Sequence, residues 1–236
     1  MSPVTPSLAG TILVVRESAA GADDASVLML RRRAELRFMG GYWVFPGGAA
    51  DPQETRGADA ITAAAAAACR ELQEEAGLEL EPRALTRVAH WITPSAMSRR
   101  FDTHFFLACA PAGQEPRLDE AEASAMCWVK PAHQAFTQQP NAEFPITAPT
   151  QMVLRELAQD LAEARSLARF MQASARRPIV TVLPKMDGED VVFPWDPHYR
   201  RIEGEGLDWD DALIATRAGW PPRMPAHVAH PGPKPR

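Results

Sequence analysis

The chain has 236 residues, 46% of them apolar and 23% charged, enough to bury one sizeable core with or without an appended region. Its formal net charge of -5 excludes the broad basic face needed to neutralise nucleic-acid phosphates, but leaves room for a local site on a small phosphorylated ligand. Neither a signal peptide nor a run of about 18 apolar residues is found, so nucleic acid and membrane are not expected partners and a cytoplasmic location is expected. Cys69, Cys109 and Cys127 are odd in number and form no CxxC pair, which fits a reducing compartment and small core residues rather than a disulfide framework.

Residues 1–9 are expected to form an N-terminal arm. Residues 11–15 (TILVV) are β-branched and read as a strand, 21–24 as a turn, and 27–30 (VLML) as a second strand. A short third strand over 42–45 is stopped by Pro46-Gly47-Gly48, and the polar stretch 51–57 reads as a loop. Asp59 is a candidate N-cap. Residues 60–76 are strong helix formers, and Gly77 followed by Leu78 supplies a left-handed stop with its apolar contact. Further strands are expected over 85–92, 101–108 and 125–129. Apolar residues at helical spacing predict one long helix over 152–171. Residues 179–183 and 191–193 flank Asp187-Gly188 and predict a small hairpin. From 220 to 236 the chain is Pro-rich and patternless, and a flexible tail is expected. The fold class is α/β: a mixed sheet covered by helices on both faces, in one domain over 10–219 with a C-terminal extension.

The chemistry concentrates on the first long helix. At about 100° per residue, Glu71, Glu74 and Glu75 share one margin, while Leu72, Cys69, Ala65 and Ala76 fall on the adjacent side, ready for burial. Carboxylates three and four apart repel one another. A divalent cation reverses that sign: Mg2+ takes oxygen ligands and keeps open positions for phosphate oxygens. A solvated acidic face explains a lone Glu-Glu pair; it does not explain a Gly-Gly turn, a loop carboxylate and Arg-Glu-x-x-Glu-Glu-x-Gly in that order.

This segment resembles the Nudix box. Gly48, Glu54, Arg70, Glu71, Leu72, Glu74, Glu75, Gly77 and Leu78 match it by type, but fifteen residues, 55–69, separate Glu54 from Arg70 where the usual box has seven. The resemblance implies a Nudix-type α/β/α sandwich and hydrolysis of a diphosphate bond in a nucleotide derivative, with Mg2+ or Mn2+ as cofactor. It implies Glu71 and Glu75 as main metal ligands, Glu74 on a further ion or on water, and the Gly48 carbonyl completing the site. Arg70 would hold the carboxylates by charge-assisted hydrogen bonds. The general base comes from the box or from a later loop, where Glu120 and Glu122 are candidates.

Upstream, Arg32, Arg37, Gly41 and residues 45–48 partly match the signature of the coenzyme A diphosphatases; Leu30 and Arg33 depart from it. Phe38-Met39, Ile92-Thr93-Pro94, residues 100–106 and residues 193–199 are similar to the branch containing the peroxisomal coenzyme A diphosphatase with a lengthened box. Coenzyme A or an acyl-coenzyme A is therefore the expected substrate, with ADP-ribose, a dinucleotide, or a non-catalytic nucleotide-sensing role as alternatives. Arg32, Arg37 and Arg100 would meet its phosphates and Phe101 its base. A homodimer is left open. His90 and His104 have no partner visible in sequence and read as structural or surface residues.

Overall fold

The computed structural model describes residues 3–18, 21–131, 144–164 and 166–225. Its frame is a mixed sheet. β1 (Ser7–Ser18) runs antiparallel to β2 (Gly21–Arg32) and parallel to β6 (Phe101–Cys109). β6 pairs antiparallel with β5 (Thr86–Ile92), and β5 pairs in parallel with β8 (Thr181–Val182). β3 (Trp43–Val44) and β7 (Ala123–Val129) pair with β2, and β4 (Gly47–Ala49) pairs with the start of β1. β1 is covered on both faces, which is why its sequence is an unbroken apolar run rather than an alternation.

One face carries α2 (Ala60–Ala76). Asp59 caps it, its carboxylate accepting from the Ile61 and Thr62 amides at 3.0 Å each. Gly77 ends it at φ 64°, its amide donating to the Gln73 carbonyl. Ala64, Ala68, Leu72 and Ala76 are buried against Ile12, Val14 and Phe106. The alanines let the helix approach closely: a Cβ on Gly10 of β1 would lie 1.8 Å from the Ala64 carbonyl oxygen.

The opposite face is the larger core. Leu13, Val15, Met29, Trp91 and Phe105 pack with Leu154, Leu157, Leu161 and Phe170 from two further helices, α3 (Ala148–Ala164) and α4 (Leu167–Ser174). A single helix over 152–171 was expected. The break comes from Ser166, which adopts extended backbone at φ -162° and accepts from the Arg169 amide as the N-cap of α4. No helix among the described residues is long and apolar enough to cross a membrane.

Other boundaries shift for similar local reasons. β1 begins at Ser7, inside the expected arm, because Ser7 already pairs with Phe101. The expected turn at 21–24 lies within β2. The expected loop 51–57 contains α1 (Pro52–Thr55), where the Glu54 carboxylate accepts from the Asp51 amide at 2.7 Å. The expected hairpin exists around Gly188, but its strands are β9 (Lys185–Asp187) and β10 (Asp190–Val192); residues 181–182 join the main sheet instead.

The expected tail is packed over its first residues. Trp220 is buried beside Trp195, and β11 (Arg223–Pro225) pairs with β10 after the short helix α5 (Asp211–Ala215). Residues 226–236 lie outside the described residues. Cys69, Cys109 and Cys127 are free thiols, and Cys109 is exposed at the end of β6 rather than in the core.

Candidate active site

The site forms where the last turns of α2 meet the turn between β3 and β4. The Thr11 hydroxyl donates to the Pro46 carbonyl at 2.7 Å and pins that turn to β1. The Gly47 amide donates to Glu75 Oε2 at 3.0 Å. A Cβ on Gly48 would lie 2.4 Å from Glu71 Oε1, so a larger residue there would push the carboxylate out of its present position.

Arg70 gathers the acidic groups. Its Nε donates to Glu54 Oε1 at 3.0 Å, its Nη1 to Glu71 Oε1 at 2.8 Å and Glu74 Oε2 at 3.0 Å, and its Nη2 to the Ala49 carbonyl at 3.0 Å. Burial alone would lower the guanidinium pKa, but the bonds to Glu54 and Glu71 hold it above its ordinary value.

The three helix carboxylates are not equivalent. Glu75 is 5% exposed. Burial pushes its pKa up to about 7 against the pull of the Gly47 amide, and the charge of Glu71 adds to the rise. Arg32 Nη1 stands 3.8 Å from Glu75 Oε1. Glu71 is also raised, first by burial and only partly relieved by Arg70. Glu74 is mostly exposed and turned to Arg70. Two carboxylates with raised pKa values, facing a glycine turn, form a site that gains from a cation.

A cavity of about 520 Å3 opens beside this acidic pair. Glu71, Glu75, Gly47, Gly48 and Arg32 line it, together with Arg37, Phe38, Arg99 and Phe101 and an apolar set that includes Phe45, Trp91, Phe105, Val191 and Phe193. The Phe38 and Phe101 rings lie 5.3 Å apart, with the Arg99 guanidinium 4.9 Å and 5.1 Å from their centroids. Arg32 Nε is buried without a hydrogen-bond partner among the described residues. Met39, also in the lining, holds φ 54°, a conformation non-glycine residues rarely adopt.

Of the residues expected to meet substrate, Arg32, Arg37 and Phe101 line the cavity, and Arg100 does not. Arg100 is 2% exposed, and its guanidinium donates to the Val4 carbonyl, the Thr93 carbonyl and Glu205 Oε2 at 2.7, 3.0 and 2.6 Å. It ties the N-terminal segment to the C-terminal extension, and its neighbour Arg99 faces the cavity instead. Glu122 stays exposed, close enough for its charge to raise Glu71 and Glu75. Its loop is held by the Asp119 amide on the Glu75 carbonyl and the Arg33 side chain on the Glu120 carbonyl. Sequence reasoning missed the contribution of Val191 and Phe193; the run of aromatics after residue 190 was the available signal.

On the face of the sheet that carries α2, His90 and His104 meet each other. Their rings stack with centroids 4.2 Å apart, His90 Nε2 contacts Asp102 Oδ1, and His90 Nδ1 lies 2.7 Å from Thr181 Oγ1. The His90 contact lowers the Asp102 pKa. Burial, followed by the charges of His90 and Arg87, lowers His104 to about 4.

Residues 8–148 match the NUDIX domain family. No curated protein matches the chain. Among solved structures the chain is similar to a NUDIX hydrolase from Alicyclobacillus acidocaldarius, with 27% identity and a TM-score of 0.61 over 74% of this chain and 99% of that one. It is similar in fold to a MutT/nudix family protein from Enterococcus faecalis, with 13% identity and a TM-score of 0.53 over 79% of this chain and 69% of that one.

Proposed function

The chain belongs to the Nudix family and is a Nudix hydrolase, and we propose that its reaction is metal-dependent cleavage of the diphosphate of coenzyme A or an acyl-coenzyme A. The observation that carries the metal dependence is the pairing of Glu71 and Glu75 against the Gly47-Gly48 turn. Burial pushes both carboxyls up, the charge of Glu74 adding to the rise at Glu71 and that of Glu71 to the rise at Glu75, so their donor set fits a hard divalent cation such as Mg2+ or Mn2+. Glu71, Glu75 and the Gly48 carbonyl would hold it, with Glu74 available to a further ion.

A divalent ion bound there neutralises charge on the diphosphate oxygens and lowers the pKa of water. Around it the chain's own residues orient and screen. Arg70 holds Glu71 and Glu74 in place and keeps Glu54 beside them, which supports reading Glu54 as a member of the box despite its distance in sequence. Water attacks one phosphorus, the bridging P–O bond breaks, and the proton passes to a carboxylate; Glu122 on the neighbouring loop is our choice for that acceptor, with Glu74 as the alternative. For coenzyme A the products are adenosine 3',5'-bisphosphate and a phosphopantetheine.

The substrate assignment is supported by the lining of the cavity. Arg32, Arg37 and Arg99 offer charge to phosphates, and the tilted pair Phe38 and Phe101 offers faces to an adenine. The apolar set around Trp91 and Phe193 suits the pantetheine arm or an acyl chain. The test is kcat/KM for coenzyme A, dephospho-coenzyme A and ADP-ribose under identical Mg2+. An arginine on the 3'-phosphate gives coenzyme A roughly a ten- to hundred-fold advantage over its dephospho form. Equal values remove the arginine argument, and a clear preference for ADP-ribose replaces the substrate.

A further inference from the structure

We propose that His90, Asp102 and His104 form a second metal site, for Zn2+ or a similar late transition metal, on the sheet face opposite the apolar wall of the cavity. The register creates it. His90 on β5 is directly opposite His104 on β6, and Asp102 lies two residues before His104, on the same face of the strand. One ligand atom from each of the three residues lies within 4.8 Å of the others. Trp91, Thr103 and Phe105, which alternate with them, line the cavity on the other side.

Two observations point to a ligand rather than to packing alone. His104 is 3% exposed, yet its Nδ1 has no hydrogen-bond partner among the described residues, and its Nε2 stands 3.9 Å from Asp102 Oδ1, beyond hydrogen-bond range. An imidazole this buried normally satisfies at least one nitrogen. Independently, Thr181 occupies His90 Nδ1 at 2.7 Å and leaves His90 Nε2 turned to Asp102. A partner on one imidazole nitrogen that fixes the other toward a ligand is how metal-binding histidines are oriented.

The donor set selects the ion. Two imidazole nitrogens and one carboxylate oxygen suit Zn2+, which takes three protein ligands and keeps a position for water; Mg2+ prefers oxygen alone. The Asp102 side chain is one-third exposed and gives the ion a way in. Arg87 lies close enough for its charge to act on Asp102 and His104, which weakens cation binding without removing the donors.

The test uses the full chain, stripped with EDTA and returned to excess Mg2+, titrated with Co2+ and then Zn2+. Low-coordinate nitrogen and oxygen ligation gives intense visible Co2+ bands, whereas a carboxylate-and-water site gives only weak ones. One equivalent of Co2+ should produce the intense bands and Zn2+ should displace it. Asp102→Asn and His90→Gln should each abolish the bands and weaken Zn2+ binding at least ~10-fold, and Glu75→Gln should retain both, whatever the hydrolytic activity proves to be. Circular dichroism checks folding; if His90→Gln fails to fold, the more exposed Asp102→Asn decides. Absence of intense bands in the wild type, or their persistence in Asp102→Asn, overturns the site and leaves a hydrogen-bonded His–Asp pair.

Discussion

Replacing Glu75 by glutamine should make the metal-free protein more stable and the enzyme far slower. A carboxyl held at about 7 instead of its ordinary 4.5 corresponds to about 3 kcal/mol between its two protonation states. Because the folded pKa is the raised one, the native chain holds a proton that the unfolded chain has released. Stability is therefore fully present below about pH 4.5 and is lost as pH rises to about 7. Glutamine keeps an oxygen for the Gly47 amide but never ionises, so it escapes that loss. In EDTA at about pH 8, Glu75→Gln should melt roughly 4–10 °C above wild type, as expected for about 2–3 kcal/mol in a chain of this size. At about pH 4.5 the two should coincide. Turnover with saturating Mg2+ should fall at least ~100-fold, the scale of a lost charge-stabilising group. A core residue shows no such opposition of signs. A Glu75→Gln protein that melts below wild type at high pH, or that keeps wild-type turnover, refutes the reasoning.

Arg70→Ala should lower kcat by roughly 100-fold through misplaced carboxylates, since it strips donors from Glu54, Glu71 and Glu74; a wild-type kcat would show that the arginine only decorates the helix. Gly10→Ala should cost about 1–3 kcal/mol by overpacking the seam with α2, and an unchanged denaturation midpoint would contradict that seam. Phe101→Ala should raise KM roughly three- to ten-fold with kcat nearly intact, as expected for losing an aromatic contact in binding. A fall in kcat alone would take Phe101 out of substrate binding.

The acidic helix was legible because everything that defines it is local. Asp59, the alanines, Arg70 to Glu75 and Gly77 announce their roles within one stretch of chain. What sequence reasoning missed depends on distant partners or on a single turn of backbone. Arg100 reads as a phosphate ligand until Glu205, 105 residues away, takes its guanidinium. His90 and His104 look solitary until the β5–β6 register brings them face to face. Ser166 sits inside a periodic apolar run, and periodicity outweighed a cap that only its extended backbone reveals. Glu54 seemed too far from Arg70; the chain turns back between α1 and α2 and leaves the two 3.0 Å apart.

The cavity is assembled from two stretches of chain with different histories available to them. Its acidic end comes from residues 47–75, inside the segment shared with the family, while Pro184, Val191 and Phe193 enter it from beyond residue 148, where that match ends. Changes in this later stretch alter the shape of what can be admitted without touching the cap, the alanine seam or the arginine that fix the hydrolytic helix. Descendants of such a chain can therefore exchange one guest molecule for another while inheriting the cleavage machinery intact.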